Sequence, residues 1–412
     1  MKVTEIEVHE FQVDYIDLVR HVVTHYNGNV KRVIYLARTD SGLEGVGEGH
    51  GRESEEVLSR YVGSNPFDWI GDDTSLALGT AMYDLMGKAA GVPCYKLFGQ
   101  KYRSWVPVAA WTVSAHPDHM AAAVREYAEM GYRWLKFHLS PFENVFDQTA
   151  AMQAAAAADF RIHYDFTGGG TGDYMPGLLA RLAEFPIAGC FEDPLDDGDL
   201  EGAKELRQRV RLPILRHRAP LKNTFEVLMG AVDGCIEGHG KIADAIRLAG
   251  LCAAGNLPFS LQHVGGTITQ AKNLHLMAAS PTGTQHCGSG TEIFRSDPVV
   301  RRLEPVNGCV RIPEEPGLGV ELDHAELERL KGLVLPEPPR WIVRSRLADG
   351  TRLFGRAQGK RHFMIRPDWT RGGMPLSYDA PISTDYWDDD GSEAFRVMWS
   401  RLDREQVVVE VP

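Results

Sequence analysis

From about residue 105 to residue 264 the chain repeats one unit: a short apolar strand, a loop, then a helical stretch. VPVAAW (106–111), WLKFHL (134–139), FRIHYDF (160–166), IAGCFEDP (187–194), LPILRHR (212–218), GAVDGCIEG (230–238) and LPFSLQHV (257–264) read as strands. Leu- and Ala-rich helices separate them, among them one through Met120–Met130 and an Ala-rich one at 149–158. Strands alternating with helices pair in parallel, because each helix carries the chain back to the end where it started. So many units in succession predict a closed (β/α) barrel over an open sheet.

The flanks follow other patterns. Residues 1 to about 48 read as a β-meander, with Val3, Ile6 and Val8 opening one strand and RVIYLART (32–39) forming another. A helix then carries Ala77, Ala81, Leu85 and Ala89 on one side and stops at Gly91-Val92-Pro93. We read residues 1–105 as an α+β capping domain, with helices returning to about 130, and residues 106–335 as the barrel. Residues 336–412 read as a β-rich extension: WIVRSRL-ADG-TRLFGRA is a hairpin across Asp349-Gly350, and RHFMIRP and EQVVVEV add strands.

Composition excludes several partners. With 44 basic and 56 acidic side chains the formal net charge is −12, the wrong sign for a nucleic-acid binder, though a local basic pocket can still take a small anion. The six cysteines, Cys94, Cys190, Cys235, Cys252, Cys287 and Cys309, form no C-x-x-C pair and suit a reduced, cytoplasmic protein. No apolar run approaches the roughly 18 residues of a membrane span, and MKVTEIEVHEFQVDY alternates like a strand, unlike a signal peptide. The Gly168-Gly169-Gly170 and Gly238-His239-Gly240-Lys241 stretches lack phosphate-loop spacing.

Three segments resemble the mandelate racemase and muconate-lactonizing branch of the enolase superfamily. Thr39-Asp40-Ser41-Gly42 through Gly45-Val46-Gly47-Glu48 is similar to a capping-domain turn of that group. AMYDLMGKAAGVPCYKLFG (81–99) is similar to its helix and turn, and PGLGVELD (316–323) to the segment that closes its barrel. The resemblance covers roughly residues 1–335. It implies a modified, TIM-like (β/α)7β barrel and removal of a proton α to a carboxylate. A bound Mg²⁺ and flanking cations then stabilise the enediolate. It also implies that three metal ligands end three successive strands at the C-terminal mouth.

By that resemblance Asp165 and Glu192 occupy the first two metal positions; without it they read as a turn former and a surface acid. At the third position a carboxylate is replaced by the Arg216-His217-Arg218 segment. His217 could ligate a divalent ion, for which imidazole favours transition metals over Mg²⁺, or Arg218 could put a fixed cation there. Lys136 and His138 alternate on one strand and so share a face. Lys136 suits the substrate carboxylate or a structural pairing with acids; His138 suits a general base near pH 7.

His263 lies near the histidine base of the seventh barrel strand, although Gln262 fits the usual distance from Pro258 better. Asp233 and Glu237, flanking Cys235, are substitutes for its partner acid. Arg216, Arg218 and Lys241 supply positive charge for an anion, since guanidinium grips a carboxylate with two hydrogen bonds. His25 and Tyr26, with His21, fall in the loop between the first two strands, which closes over substrate in this family.

The expectation is a lyase that dehydrates a hydroxy or sugar acid. A racemase, epimerase or cycloisomerase using the same enediolate step is the alternative enzyme. A barrel that only binds an anion is the non-catalytic one. Expected partners are a small carboxylate substrate, no nucleic acid, no membrane, and further copies of the chain in a homo-oligomer.

Overall fold

The structure, a computed structural model, describes residues 1–196, 198–217, 230–356, 377–405 and 407–412. Its centre is the predicted barrel. Eight parallel strands follow one another: β4 (Trp105–Val113), β5 (Trp134–His138), β6 (Arg161–Asp165), β7 (Ala188–Glu192), β8 (Ile214–His217), β9 (Gly234–Glu237), β10 (Phe259–Leu261) and β11 (Cys287–Gly288). They are hydrogen-bonded in sequence order from β4 to β10, and β11 returns to pair with β4. The Ser260 hydroxyl donates to the His286 carbonyl at 2.6 Å, drawing β10 and β11 together.

The capping sheet is antiparallel: β1 (Val3–Gln12), β2 (Lys31–Thr39) and β3 (Glu44–Gly49), in that order. The expected loop between β1 and β2 is instead a helix, Asp17–Asn27. It buries Val19, Val22, Val23 and Tyr26, a 3.6-residue stripe that holds a β-branched segment helical without a side-chain cap.

The family-like segments turn out to be where cap and barrel touch. Asp84, in the helix Leu76–Ala90, accepts from Val46 N of β3 at 2.9 Å and from Leu318 N of the barrel-closing segment at 2.8 Å. Gly47 lies so close to that helix that a Cβ there would stand 1.9 Å from the Ala77 carbonyl oxygen. Glu48 and Asp297 share the fully buried Arg32 guanidinium, and Glu48 also accepts from Gly266 N and Thr269 N at the start of the barrel helix Thr267–Ala279.

The C-terminal extension is an antiparallel sheet backed by a helix. The hairpin Trp341–Leu347 with Arg352–Arg356 is present, flanked by strands Ile382–Asp388 and Val407–Glu410. The strand expected at RHFMIRP lies outside the described residues. The helix Glu393–Glu405 was not foreseen; it sets Phe395, Met398 and Leu402 against Ile342, Phe354 and Val408 on one sheet face. The other face, with Trp341, Val343, Leu353 and Ile382, packs on Phe142 in the loop after β5. Val145 N donates to the Tyr378 carbonyl at 2.8 Å and the Tyr174 hydroxyl to Asp379 at 2.8 Å. The extension therefore leans on the C-terminal ends of β5 and β6, beside the mouth of the barrel.

That joint contains an acid sensitive to pH. Burial pushes the Glu143 carboxyl up to about 8, and its Oε1 accepts from Thr384 N of the extension at 3.2 Å. A carboxyl whose folded pKa is raised stabilises the fold fully below its free value, near 4.5, and progressively less as pH climbs to about 8. Glu143→Gln should remove this slope and stabilise the docked extension at pH 8 by on the order of 3 kcal/mol. Limited proteolysis of the extension across that pH range is the check, and an unaltered pH profile in the variant would count against the assignment.

Candidate active site

Alternation along β5 turns Lys136 and His138 into the lumen and buries Leu135 and Phe137 on the opposite face. Register then assembles the rest. His138 lies beside Asp165, Lys136 beside His163, and Asp165 beside Glu192. The Lys136 ammonium sits between the two carboxylates, 2.9 Å from Asp165 Oδ2 and 2.8 Å from Glu192 Oε2. It also donates to Gln262 Oε1, whose amide nitrogen donates back to Glu192 at 3.1 Å. His138 Nε2 is 3.1 Å from Asp165 Oδ2, and its Nδ1 is 2.8 Å from the Tyr26 hydroxyl. His217 Nδ1 lies 3.0 Å from Glu192 Oε1.

Below this charged layer the lumen closes. His163 bridges Glu192 and His286 at 2.7 Å each, and Trp134 stacks on His286. Cys190, Leu215 and Ile236 pack with Trp134 as an apolar floor.

Burial works against every charge here, and the pairings decide the outcome. For Lys136, Asp165 and Glu192 outweigh burial and hold its pKa above the usual lysine value. Burial and the neighbouring Glu192 would raise Asp165, but Lys136 and His138 bring its carboxyl below the usual range. Glu192, opposed by the same burial, is held well below it by Lys136, His217 and His163. Asp193 is left over: burial, then Glu192 and Asp165, push it up to about 7. Its backbone has φ of 44°, a left-handed conformation uncommon outside glycine. Its Oδ1 accepts from His217 N at 3.0 Å and so fixes the end of β8.

Asp165, Glu192 and His217 each offer a ligand atom, and the three atoms lie within 4.8 Å of one another. The place between the two carboxylates already holds a cation, the Lys136 ammonium. His217 Nε2 is buried and has no hydrogen-bond partner among the described residues. Two carboxylates and one imidazole fit a divalent cation and favour a borderline transition metal more than three carboxylates do. His217 owes its place to Gly238, where a Cβ would stand 1.9 Å from Nε2. Gly238→Ala should therefore displace the imidazole and cut turnover by about 100-fold with little change in melting temperature. Kinetics equal to wild type would show that His217 has no part in the site.

The other expected site residues are placed as follows. Tyr26 reaches the lumen through His138, and Trp111 packs against both, with ring centroids 5.8 and 5.4 Å away. His25, one residue earlier, turns to the extension, 2.7 Å from Asp388. Arg216 is buried beside Asp193, its Nη1 3.5 Å from Oδ1. Arg218 lies outside the described residues.

His263 does not meet Lys136. Gln262 takes that position, and His263 is bonded to Glu237 on one nitrogen and Lys272 on the other. His263 and Lys272 line a separate cavity of about 170 Å³ with Glu48, His50, His239 and Lys241. Burial brings the Lys272 pKa down to about 7. Of the two acids weighed as partners of His263, Glu237 is the one bonded; Asp233 pairs with Arg207. The sequence reading missed His163, His286, Trp111 and Lys272. For His163 and Trp111 the signal was available, since each shares a strand face with, or lies in register beside, a residue already singled out.

Comparison with known proteins agrees with this architecture. Residues 119–326 match the family model described as Enolase C-terminal domain-like, which is half of the chain. D-galactonate dehydratase of Xanthomonas axonopodis pv. citri is 24% identical over 373 residues, covering 77% of this chain and 95% of that protein. Arabinonate dehydratase of Saccharolobus solfataricus is 23% identical over 268 residues, 61% of this chain and 70% of that one. Among solved structures, the N-succinyl Arg/Lys racemase of Bacillus cereus superposes with a TM-score of 0.69 at 21% identity, covering 81% of this chain and 99% of that one. A mandelate racemase/muconate lactonizing family protein of Azoarcus gives 0.67 at 21% identity, over 81% and 98%. The chain belongs to the enolase superfamily, in its mandelate racemase and muconate-lactonizing branch, and is an enzyme.

Proposed function

We propose that this enzyme dehydrates a polyhydroxylated carboxylic acid of the sugar-acid class, converting a 2,3-dihydroxy acid to the 2-keto-3-deoxy acid and water. The observation that carries the reading is that Lys136 and His138 stand on one side of the lumen and face an amide, Gln262, across it. A racemase needs proton-transfer groups on both sides of the substrate carbon; a dehydratase needs them on one. The relatives named as sugar-acid dehydratases support the same reading.

The residues divide the work as follows. Lys136 offers its ammonium to the substrate carboxylate and to the charge that builds on it as the C2 proton leaves. Asp165 accepts from Nε2–H of His138 and so leaves Nδ1 as the basic nitrogen, a tautomer assigned from the hydrogen bonds. Nδ1 takes the C2 proton once the Tyr26 hydroxyl gives way, and the electron pair forms the enediolate. The pair then expels the C3 hydroxyl, which leaves as water with the proton that His138 returns. The resulting enol becomes the 2-keto acid. Superfamily members generally use Mg²⁺; here Asp165, Glu192 and His217 would hold a divalent ion, which supplies Lewis acidity at the substrate carboxylate.

A panel of sugar acids incubated with the enzyme in D₂O tests this. We expect a 2-keto acid from at least one of them, detected as its semicarbazone. Deuterium uptake at C2 with inversion and no keto acid would replace the proposal with the racemase reading.

A further inference from the structure

A second cluster of ligand-type side chains lies outside the barrel, where the capping helix Asp17–Asn27 meets the extension. His21 and His25 are four residues apart and so share a helix face. Their rings meet edge to face with centroids 4.2 Å apart. Asp388, at the end of the strand Ile382–Asp388, reaches across from the extension. One donor atom from each of the three lies within 4.8 Å of the other two.

The surroundings are organised around these atoms. His25 Nδ1 lies 2.6 Å from the His21 carbonyl oxygen, so it carries the proton and donates it there. Nε2 faces Asp388 Oδ1 at 2.7 Å with a proton between them, and it is that proton's place an ion would take. Metal-binding histidines are commonly fixed in this way, by giving the remote N–H to a carbonyl. Tyr386 stacks on the His25 ring at 4.7 Å and Trp341 meets it edge-on at 4.8 Å, so the imidazole is held from the extension side. His21 is exposed, which leaves an entry path and freedom for its ring to close. On the adjoining helix Pro117–Glu129, His119 has a buried Nε2 with no hydrogen-bond partner among the described residues.

We propose that His21, His25 and Asp388 form a binding site for a first-row transition-metal ion of the Zn²⁺ class, which fastens the C-terminal sheet to the capping helix. Two imidazoles and a carboxylate, with a water in the fourth position, are a donor set suited to such an ion and poorly suited to Mg²⁺. Zinc-to-nitrogen bonds of about 2.0–2.1 Å place tetrahedral donors roughly 3.4 Å apart, so an ion would spread the His25–Asp388 pair from 2.7 Å and draw in the exposed His21 ring. An ammonium fills the place between the carboxylates in the barrel, whereas Asp388 is paired with the His25 imidazole and, among the described residues, with no lysine or arginine. Tyr26, bonded to His138, directly follows His25, so an ion here would also set the position of a residue in the mouth.

Co²⁺ is the probe, because tetrahedral Co²⁺ absorbs far more strongly in the visible than octahedral Co²⁺. Titrating the full-length protein should develop an intense tetrahedral band that saturates and is displaced by Zn²⁺. Asp165→Asn should keep that band, since the barrel site is elsewhere. His21→Ala and Asp388→Asn should each weaken the binding that gives it by about tenfold or more. His21 is exposed, so His21→Ala is expected to fold, and circular dichroism verifies it. Zn²⁺ should slow proteolysis of the extension in the wild type and not in His21→Ala. The proposal is overturned if excess Co²⁺ gives no tetrahedral band, or if the band survives His21→Ala and Asp388→Asn unchanged.

Discussion

Lys136→Met should lower kcat/KM by about 10²–10³, because it removes the cation positioned for charge that appears only as the C2 proton leaves. The same substitution should tighten divalent-ion binding. The ammonium lies within 2.9 Å of both Asp165 and Glu192 and competes with any ion for them. Methionine keeps most of the buried stem, so losses from packing are small, though two carboxylates are left facing each other without their cation. Steady-state kinetics and calorimetric titration with Mg²⁺ and Mn²⁺ read the two effects separately. Unchanged turnover would remove Lys136 from the mechanism. Weaker metal binding would mean that the ammonium organises the carboxylates and does not compete for them.

Arg32→Met should cost about 3–5 kcal/mol in urea unfolding, because it breaks a buried ion-pair network. The guanidinium is fully buried between Glu48 and Asp297, with a cation–π contact to Phe294 at 5.1 Å. Without it two acids remain in the interior close to one another. The loss should be partly recovered in Arg32→Met combined with Glu48→Gln, because the second change removes one of the stranded charges. A double variant less stable than the single one by the full cost of Glu48→Gln alone would show that the two residues act independently.

The barrel was legible because its signal is periodic and repeated: each strand is a short apolar run, and neighbouring units corroborate one another. The capping motifs were legible because their residues are forced by close contact. Gly47 touches the Ala77 carbonyl, and Asp84 ties β3 to the barrel-closing segment. Within the lumen, alternation on β5 was enough to place Lys136 and His138 together. The helix Asp17–Asn27 is hard to read from sequence because it is rich in valine and histidine and has no capping side chain; burial of one face, not propensity, makes it helical. The helix Glu393–Glu405 is masked by the alternating strands on either side of it in the sequence. At β10 one residue of register separates Gln262 from His263, and a slip of one exchanges lumen for exterior. Spacing from Pro258 pointed to the glutamine, while the chemistry of imidazole pointed to its neighbour. The pairing of His263 with Lys272 arises from a helix that follows the strand, a contact that no local pattern encodes.

An amide at the position facing Lys136 has a stereochemical consequence. If the C2 proton departs toward His138 and returns from the same imidazole, reversal of the first step rebuilds the original configuration. Substrate recovered part-way through the reaction would then carry solvent deuterium at C2 and keep its optical rotation, a pairing of isotope exchange with retention. Gln262→His would place a proton-transfer group on the far wall and should convert part of that retention into loss of optical activity.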